Sequence, residues 1–496
     1  VSTGELREVR LAIIGGGCSG IAMAAQLRAQ GIDDFVILER AADLGGTWRD
    51  NSYPGCACDV QSSLYSFSFA PNPEWTRTFS PQAEIWAYLR RVVAQLDLHR
   101  HFAFNQNVHA ARWDEQEARW FISTSAGEWR ATALVLASGA LSDPIAPALD
   151  GLAEFRGRVF HSAHWDHTYV LENARVAVIG TGASAIQFVP RIQPQVAQLH
   201  LFQRSAPWVL PRHDRAVPEW RKRMYRSVPA TQRAARAALY ALRELIFLPF
   251  RHTQLVGLAE SVARWHLASQ VKDASLRLRL TPAYRLGCKR VLVSDDYYPA
   301  VAQPNVTLVT QAIARVNATG IETIDGAQHH VDAIIFGTGF RPTDPPLAPY
   351  IAGRDGLTLA DAWQGSPSAY RGTTVAGFPN FFVLLGPNTG LGHSSILLMV
   401  EAQTRHVSQV LAAMEQRGAS TVEPTSEAQR TFETWITGNL AGTVWNTGGC
   451  RSWYLDANGR NSTLWPFGIG RFRRMMSRLD ERDYRFTSAY ASPSSP

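Results

Sequence analysis

Cysteine is scarce in this chain. There are five in 496 residues, at positions 18, 56, 58, 288 and 450. So small and odd a number argues against a disulfide framework and suits a reducing, cytoplasmic setting. Cys56 and Cys58 are spaced C-x-C. That matches neither a C-x-x-C redox pair nor a zinc knuckle, so both read as ordinary thiols and no metal site is expected. Long apolar runs are missing too: no stretch of about 18 apolar residues exists, which excludes a spanning helix. There is no long lysine block. The net charge of +7 comes from many scattered arginines, which disfavours nucleic acid as the partner. Some of those arginines read as contacts for a phosphorylated ligand, and no obligate protein partner is evident. The first predicted strand begins by about Val9, so a signal peptide is not expected.

What is present is a globular composition, with 46% hydrophobic and 18% charged residues. The length implies two or three structural units. Residues 9–20 read V-R-L-A-I-I-G-G-G-C-S-G. An apolar run over 11–14 predicts a buried parallel strand. Gly15, Gly17 and Gly20 then form G-x-G-x-x-G, a predicted helix runs over 21–30, and a second strand over 35–38 ends in Glu39. Gly15 permits the tight turn, Gly17 admits a pyrophosphate to the backbone, and Gly20 lets helix and strand pack closely. The helix start faces the phosphates, and Glu39 accepts from ribose hydroxyls. This order of strand, loop, helix, strand and acid suits FAD.

A second loop, V-A-V-I-G-T-G-A-S-A at 176–185, carries Gly180 and Gly182 in G-x-G-x-x-A. A helix is predicted over 184–192 and a strand over 199–202. Where the first unit has Glu39, this one has Gln203, Arg204 and Ser205. An acid there would repel a 2′-phosphate, whereas Arg204 would pair with one, so the second site suits NADP(H).

The apolar segments 133–140 and 332–340 read as strands that close the two nucleotide folds. Segment 381–395 reads as another buried strand, a Gly/Asn loop and a helix to about residue 414. The expected class is α/β, with two Rossmann-like dinucleotide-binding domains, one nested in the other. Residues 1–148 and 342–496 form the FAD domain, and 149–212 with 289–341 the NADP domain, which carries a helical insertion at 213–288. In that insertion Leu239, Leu242, Leu245, Ile246 and Leu248 make an apolar stripe. Packing of the stripe onto the protein's own core is expected, a membrane-surface face being the alternative. The tail, T-S-A-Y-A-S-P-S-S-P, reads as disordered.

Two longer patterns narrow the function. F-x-G-x-x-x-H-x-x-x-W-[PD] is matched by Phe155, Gly157, His161, Trp165 and Asp166. [AG]-G-x-W-x-x-x-x-[FY]-P-[GM]-x-x-x-D is matched by Gly45, Gly46, Trp48, Tyr53, Pro54, Gly55 and Asp59. The chain resembles the type I Baeyer–Villiger monooxygenases, class B flavoprotein monooxygenases, over nearly its whole length. The resemblance implies FAD and NADPH as cofactors. It also implies conversion of a ketone to an ester or lactone with O2, through a C4a-peroxyflavin. His161 is implied to tie the connection between the domains rather than to act as a base. The segment G-C-K-R-V-L-V-S-D-D-Y-Y (287–298) is implied to place Arg290 at the flavin and Lys289 at the 2′-phosphate. Asp59 is implied to orient Arg290. Trp48 and Tyr65 resemble flavin contacts, and Trp453 resembles a wall of the nicotinamide and substrate pocket. Ser19, Arg40, Thr47 and Val108 complete the expected FAD contacts, and Ser184, Gln187 and Ser205 the NADP contacts. The chain departs from the family at Asp456, where glycine is usual, and at Ala57, where arginine is common.

The alternatives are a flavin-containing heteroatom monooxygenase acting on sulfides or amines, a disulfide reductase, and a non-catalytic FAD-binding regulator. The first has no need of Arg290, and the second needs a cysteine pair that C-x-C does not supply.

Overall fold

The structure is a computed structural model and describes residues 6–488 except Ser142 and His252. The chain opens on strand β1 (Arg7–Ile14), whose last four residues are buried. Gly15 turns the chain at φ +110°, and helix α1 (Cys18–Ala29) begins with no side-chain cap. Gly20 lets the helix lie on the strand, since a Cβ there would stand 2.0 Å from the Gly15 carbonyl oxygen. Strand β2 (Phe35–Leu38) and the longer β3 (Gly127–Leu136) flank β1 in parallel. All four β2 residues are buried, as an unbroken apolar run requires of a strand covered on both faces. Val108–Asp114 and Arg119–Thr124 extend this sheet antiparallel beyond β3.

A second sheet is wholly parallel. Its strands are β4 (Arg158–His161), β5 (Arg175–Ile179), β6 (Gln198–Phe202), β7 (Val306–Val309) and β8 (Ala333–Phe336). Their order is β7-β6-β5-β8-β4. Helix α2 (Ala185–Ile192) joins β5 to β6. The motif Phe155–Asp166 is therefore no free connection, because Arg158–His161 forms the edge strand paired with β8.

Between β6 and β7 the chain is mainly helical: α3 (Glu219–Ser227), α4 (Pro229–Ile246), α5 (Leu248–Arg251), α6 (Val256–Gln270) and α7 (Ala274–Arg279). Strand β9 (Phe381–Val383) then returns to the first sheet, beside β3. Helices α8 (Leu397–Gln416) and α9 (Ile469–Met476) follow, α8 packing against both α1 and α9. The first sheet thus takes strands from both sides of the second in sequence. The expected disordered tail lies, from residue 489 onward, outside the described residues.

Two expectations are overturned. Cys288 and Cys450 form a disulfide, with Cα atoms 6.1 Å apart and a separation of 162 in sequence. A pair so distant leaves no spacing signal to read. The second concerns the apolar stripe. Leu239 packs against the core, but Leu242, Leu245, Ile246 and Leu248 are exposed. Beside Leu239 and Tyr240, the inward side of α4 is polar. Gln232 donates to the Asn72 carbonyl at 2.7 Å, Arg236 to the Ser63 carbonyl at 2.9 Å, and Arg243 to Gln61 Oε1 at 3.0 Å.

Candidate active site

Both glycine loops open onto one cavity of about 910 Å³. Gly15, Gly17, Ser19, Glu39, Arg40, Thr47, Trp48, Tyr65 and Val108 line it on the side of the first sheet. Gly182, Ser184 and Gln187 line it on the side of the second. Asp59, Arg290 and Trp453 reach the same space. Gly20 sits behind the first turn, and Gly180, Arg204, Ser205 and Lys289 stand outside the cavity wall.

The first half fits a dinucleotide. The N-terminus of α1 faces the cavity with no side-chain cap and no acid in its first turn, which leaves N–H groups for a phosphate. The Glu39 carboxylate is buried at the end of β2. It accepts from Gly16 N at 2.8 Å and Ala41 N at 3.0 Å, and it also faces Arg49 Nη1 at 3.0 Å. Arg49, missed in the sequence reading, gives this acid a cation one helical turn after the second glycine pair. Trp48 Nε1 donates to the Tyr65 hydroxyl at 3.0 Å, so the two expected flavin contacts are fixed against each other. Burial pushes the Cys18 thiol up to about 12. Cys56 and Cys58 are free and buried, with thiols likewise raised by burial. None of the three has the lowered pKa of a redox or nucleophilic cysteine.

The second half fits a nucleotide with an extra phosphate. Gly180 turns at φ +110°, where a Cβ would stand 2.5 Å from the Gly337 carbonyl oxygen. Arg204 is exposed just beyond β6. Lys289 Nζ lies 2.7 Å from Ser205 Oγ. Burial first, and the Arg204 charge second, lower the Lys289 pKa. Two cations and a hydroxyl thus meet at the strand's end, with no carboxylate within 4 Å among the described residues. An incoming dianion would relieve their repulsion.

Where the halves meet, Arg290 is joined to Asp59. Nε and Nη2 of Arg290 stand 2.8 and 2.6 Å from Asp59 Oδ2. The Asp59 charge raises the Arg290 pKa, so the guanidinium is permanently charged. Tyr454, buried and electrostatically coupled to Arg290, also belongs to this corner. The adjacent Trp453 could have pointed to it. Trp453 itself is 42% exposed and lies against the Tyr454 ring. It is a cavity wall, not a core tryptophan.

Other expected residues are held in place by protein contacts. The Gln187 side chain bonds the Ala57 backbone in both directions, at 3.2 and 3.0 Å, and accepts from the Tyr53 hydroxyl. It thereby links the second loop's helix to the Trp48–Asp59 segment. His161 is buried, accepts from Ala163 N at 3.0 Å and is lowered to about 4 by burial. It is neutral at neutral pH. Trp165 packs between Phe160 and Phe188, and Asp166 accepts from Arg158 Nε at 2.6 Å. Phe155 is half-buried against the second sheet's core. Gly157 is forced, because a Cβ would stand 2.3 Å from the Asp332 carbonyl oxygen. The departure at Asp456 is structural. Its carboxylate accepts from Asn458 N and Arg460 N and builds a turn.

Comparison with known proteins agrees with this geometry. The flavin-binding monooxygenase-like family matches residues 8–229. A Baeyer–Villiger monooxygenase of Streptomyces coelicolor is 50% identical over 96% of this chain and 92% of its own length. One of Pseudomonas aeruginosa is 48% identical over 97% and 92%. Cyclohexanone monooxygenase from Rhodococcus sp. Phi1, solved with NADP+, superposes with a TM-score of 0.88 at 29% identity, covering 98% of this chain and all of that one. With two dinucleotide-shaped half-sites sharing one cavity, the chain belongs to the flavin-binding monooxygenase-like family, as an FAD-containing, NADPH-dependent Baeyer–Villiger monooxygenase.

Proposed function

We propose that the cavity converts a ketone to an ester or lactone, with Arg290 as the catalytic cation and Asp59 as its positioning partner. The balance is one ketone, O2, NADPH and a proton giving the ester, NADP+ and water. Bound FAD, with NADPH and O2, supplies the reducing and oxygen-activating chemistry. Gly15 to Ser19 and Glu39 hold its pyrophosphate and ribose, while Arg204, Ser205 and Lys289 hold the 2′-phosphate of NADPH.

The observation that carries this reading is the Arg290–Asp59 pair on the wall shared by the two half-sites. Oxygen insertion beside a carbonyl builds negative charge on oxygen. A fixed guanidinium that cannot lose its proton stabilises that charge where water is scarce. Asp59 takes one edge of the guanidinium through Nε and Nη2. Among the described residues Nη1 has no hydrogen-bond partner, and it can face the reacting oxygen. Trp453 walls the same cavity, with the buried Tyr454 ring against it.

Product analysis tests the proposal. The FAD-loaded protein is incubated with NADPH, O2 and a mixed panel of linear, cyclic and aryl ketones and of sulfides. Gas chromatography with mass detection then reads gains of one oxygen. Esters or lactones are expected. Sulfoxides alone would reject the ketone assignment and the role of Arg290 with it.

A further inference from the structure

The insertion is built inside out. Helix α4 spends all but one of its charged and amide groups on the protein, Arg233 being the exception: Gln232, Arg236 and Arg243 point inward to the 61–72 segment, and Glu244 accepts from Ile469 N at 2.9 Å. Its outer face carries Leu242, Leu245 and Ile246, spaced as one helical stripe. After the short α5, helix α6 shows a second stripe, Leu258, Val262 and Trp265. Leu258 is 79% exposed, Trp265 66% and Leu245 63%. Among the described residues, 11 of the 20 exposed large apolar side chains lie in 213–288. That concentration is far above what scattered surface apolar residues produce.

Charge concentrates in the same segment. Residues 213–288 hold 14 of the chain's 49 basic residues and only five of its 42 acidic ones. The insertion therefore carries more positive charge than the whole chain's net of +7, and the remainder is slightly acidic. Arg223, Arg233, Arg251 and Lys272 are exposed with no carboxylate within 4 Å among the described residues. No helix of the described residues is long and apolar enough to cross a membrane.

We propose that the outer face of the insertion docks on an anionic lipid surface, with the α4 and α6 stripes entering the headgroup region and the flanking cations meeting lipid phosphates. Exposed leucine and tryptophan on short helices, in a segment rich in arginine and poor in acid, is the composition that such a surface binds. A second copy of the chain fits less well, because pairing would bring two strongly positive insertions together.

Co-sedimentation of the holoenzyme tests this. Vesicles are phosphatidylcholine alone, or phosphatidylcholine with about 30% phosphatidylglycerol, at about 0.05 and about 0.5 M NaCl. Pelleting with the anionic vesicles only is expected, weakened about tenfold by the higher salt. Leu245→Glu with Leu258→Glu should lower pelleting by about tenfold or more, since both leucines contribute apolar burial in the headgroup region. Arg233→Glu with Lys272→Glu should do the same through charge. Flavin retention and turnover of dissolved ketone report that each variant is folded. Equal pelleting with neutral vesicles, or none with either, overturns the proposal. So does a dimer in light scattering that the leucine variants break while vesicle binding is absent.

Discussion

Arg290 and Asp59 lie 231 residues apart in sequence and 2.6 Å apart in space. Each comes from a segment of its own nucleotide half-site, so the pair forms only when both halves are assembled. Removing the cation and removing its anchor should therefore have different consequences. Arg290→Ala is expected to keep NADPH-dependent flavin reduction while ester formation falls on the order of 10²–10³-fold. Asp59→Asn keeps the cation but not its aim, and should lose less product while raising NADPH oxidation without product. Stopped-flow reduction measured beside product yield checks both. An unchanged ester yield in Arg290→Ala would reject its role.

The cation pair at the end of β6 predicts coenzyme preference. Arg204→Ala should raise the Michaelis constant for NADPH by about tenfold or more, the worth of a charge-assisted contact, and leave that for NADH nearly unchanged. Equal effects on the two coenzymes would remove the 2′-phosphate from this corner. Lys289→Ala should act in the same direction, since Lys289 reaches Ser205 beside Arg204.

Much of this fold was legible because dinucleotide loops leave little choice of residue. Gly20 has no room for a Cβ beside Gly15, and the buried runs 11–14 and 35–38 can only be inner strands. The Arg290–Asp59 pair was reached through family resemblance, as no local pattern relates residues so far apart. Two features were misread or unread. The α4 leucines have core-like spacing, but helical spacing does not say which face meets the protein. There the arginines do, their long stems packing inward and their heads finding carbonyls. The Cys288–Cys450 bond depends on the return of the chain after β9, which cysteine counting cannot register.

Buried histidines set an acid limit. Burial lowers His161 to about 4, His200 to about 4 and His406 to about 3, from an ordinary value near 6.5. Each therefore binds a proton more readily in the unfolded chain. Their contribution to stability is complete above about pH 6.5 and is lost progressively as pH falls towards 4. Thermal unfolding of the FAD-loaded protein from pH 8 to pH 5 should show a flat region and then a decline below about 6.5. His161→Gln should make that decline shallower. A variant curve parallel to the parent's would show that His161 does not titrate on unfolding.

The disulfide joins two segments that both serve the cavity. Cys288 directly precedes Lys289 and Arg290, and Cys450 lies three residues before Trp453. Further contacts hold the segments together, Arg285 N donating to the Gly448 carbonyl at 2.9 Å. The cross-link closes a long loop, so the oxidised chain should be more stable than the reduced one by about 2–4 kcal/mol. The backbone contacts alone would then carry the alignment of Trp453 with Arg290 in the reduced form. Thermal unfolding with and without a phosphine reductant reads the first effect, and the Michaelis constant for ketone under the same two conditions reads the second. Cys450→Ser should resemble the reduced parent in both and be indifferent to reductant. If the parent is equally indifferent while thiol titration shows the bond intact before reduction, the bond neither stabilises the fold nor aligns the pocket. The packing of 285–290 against 448–454 would then suffice alone.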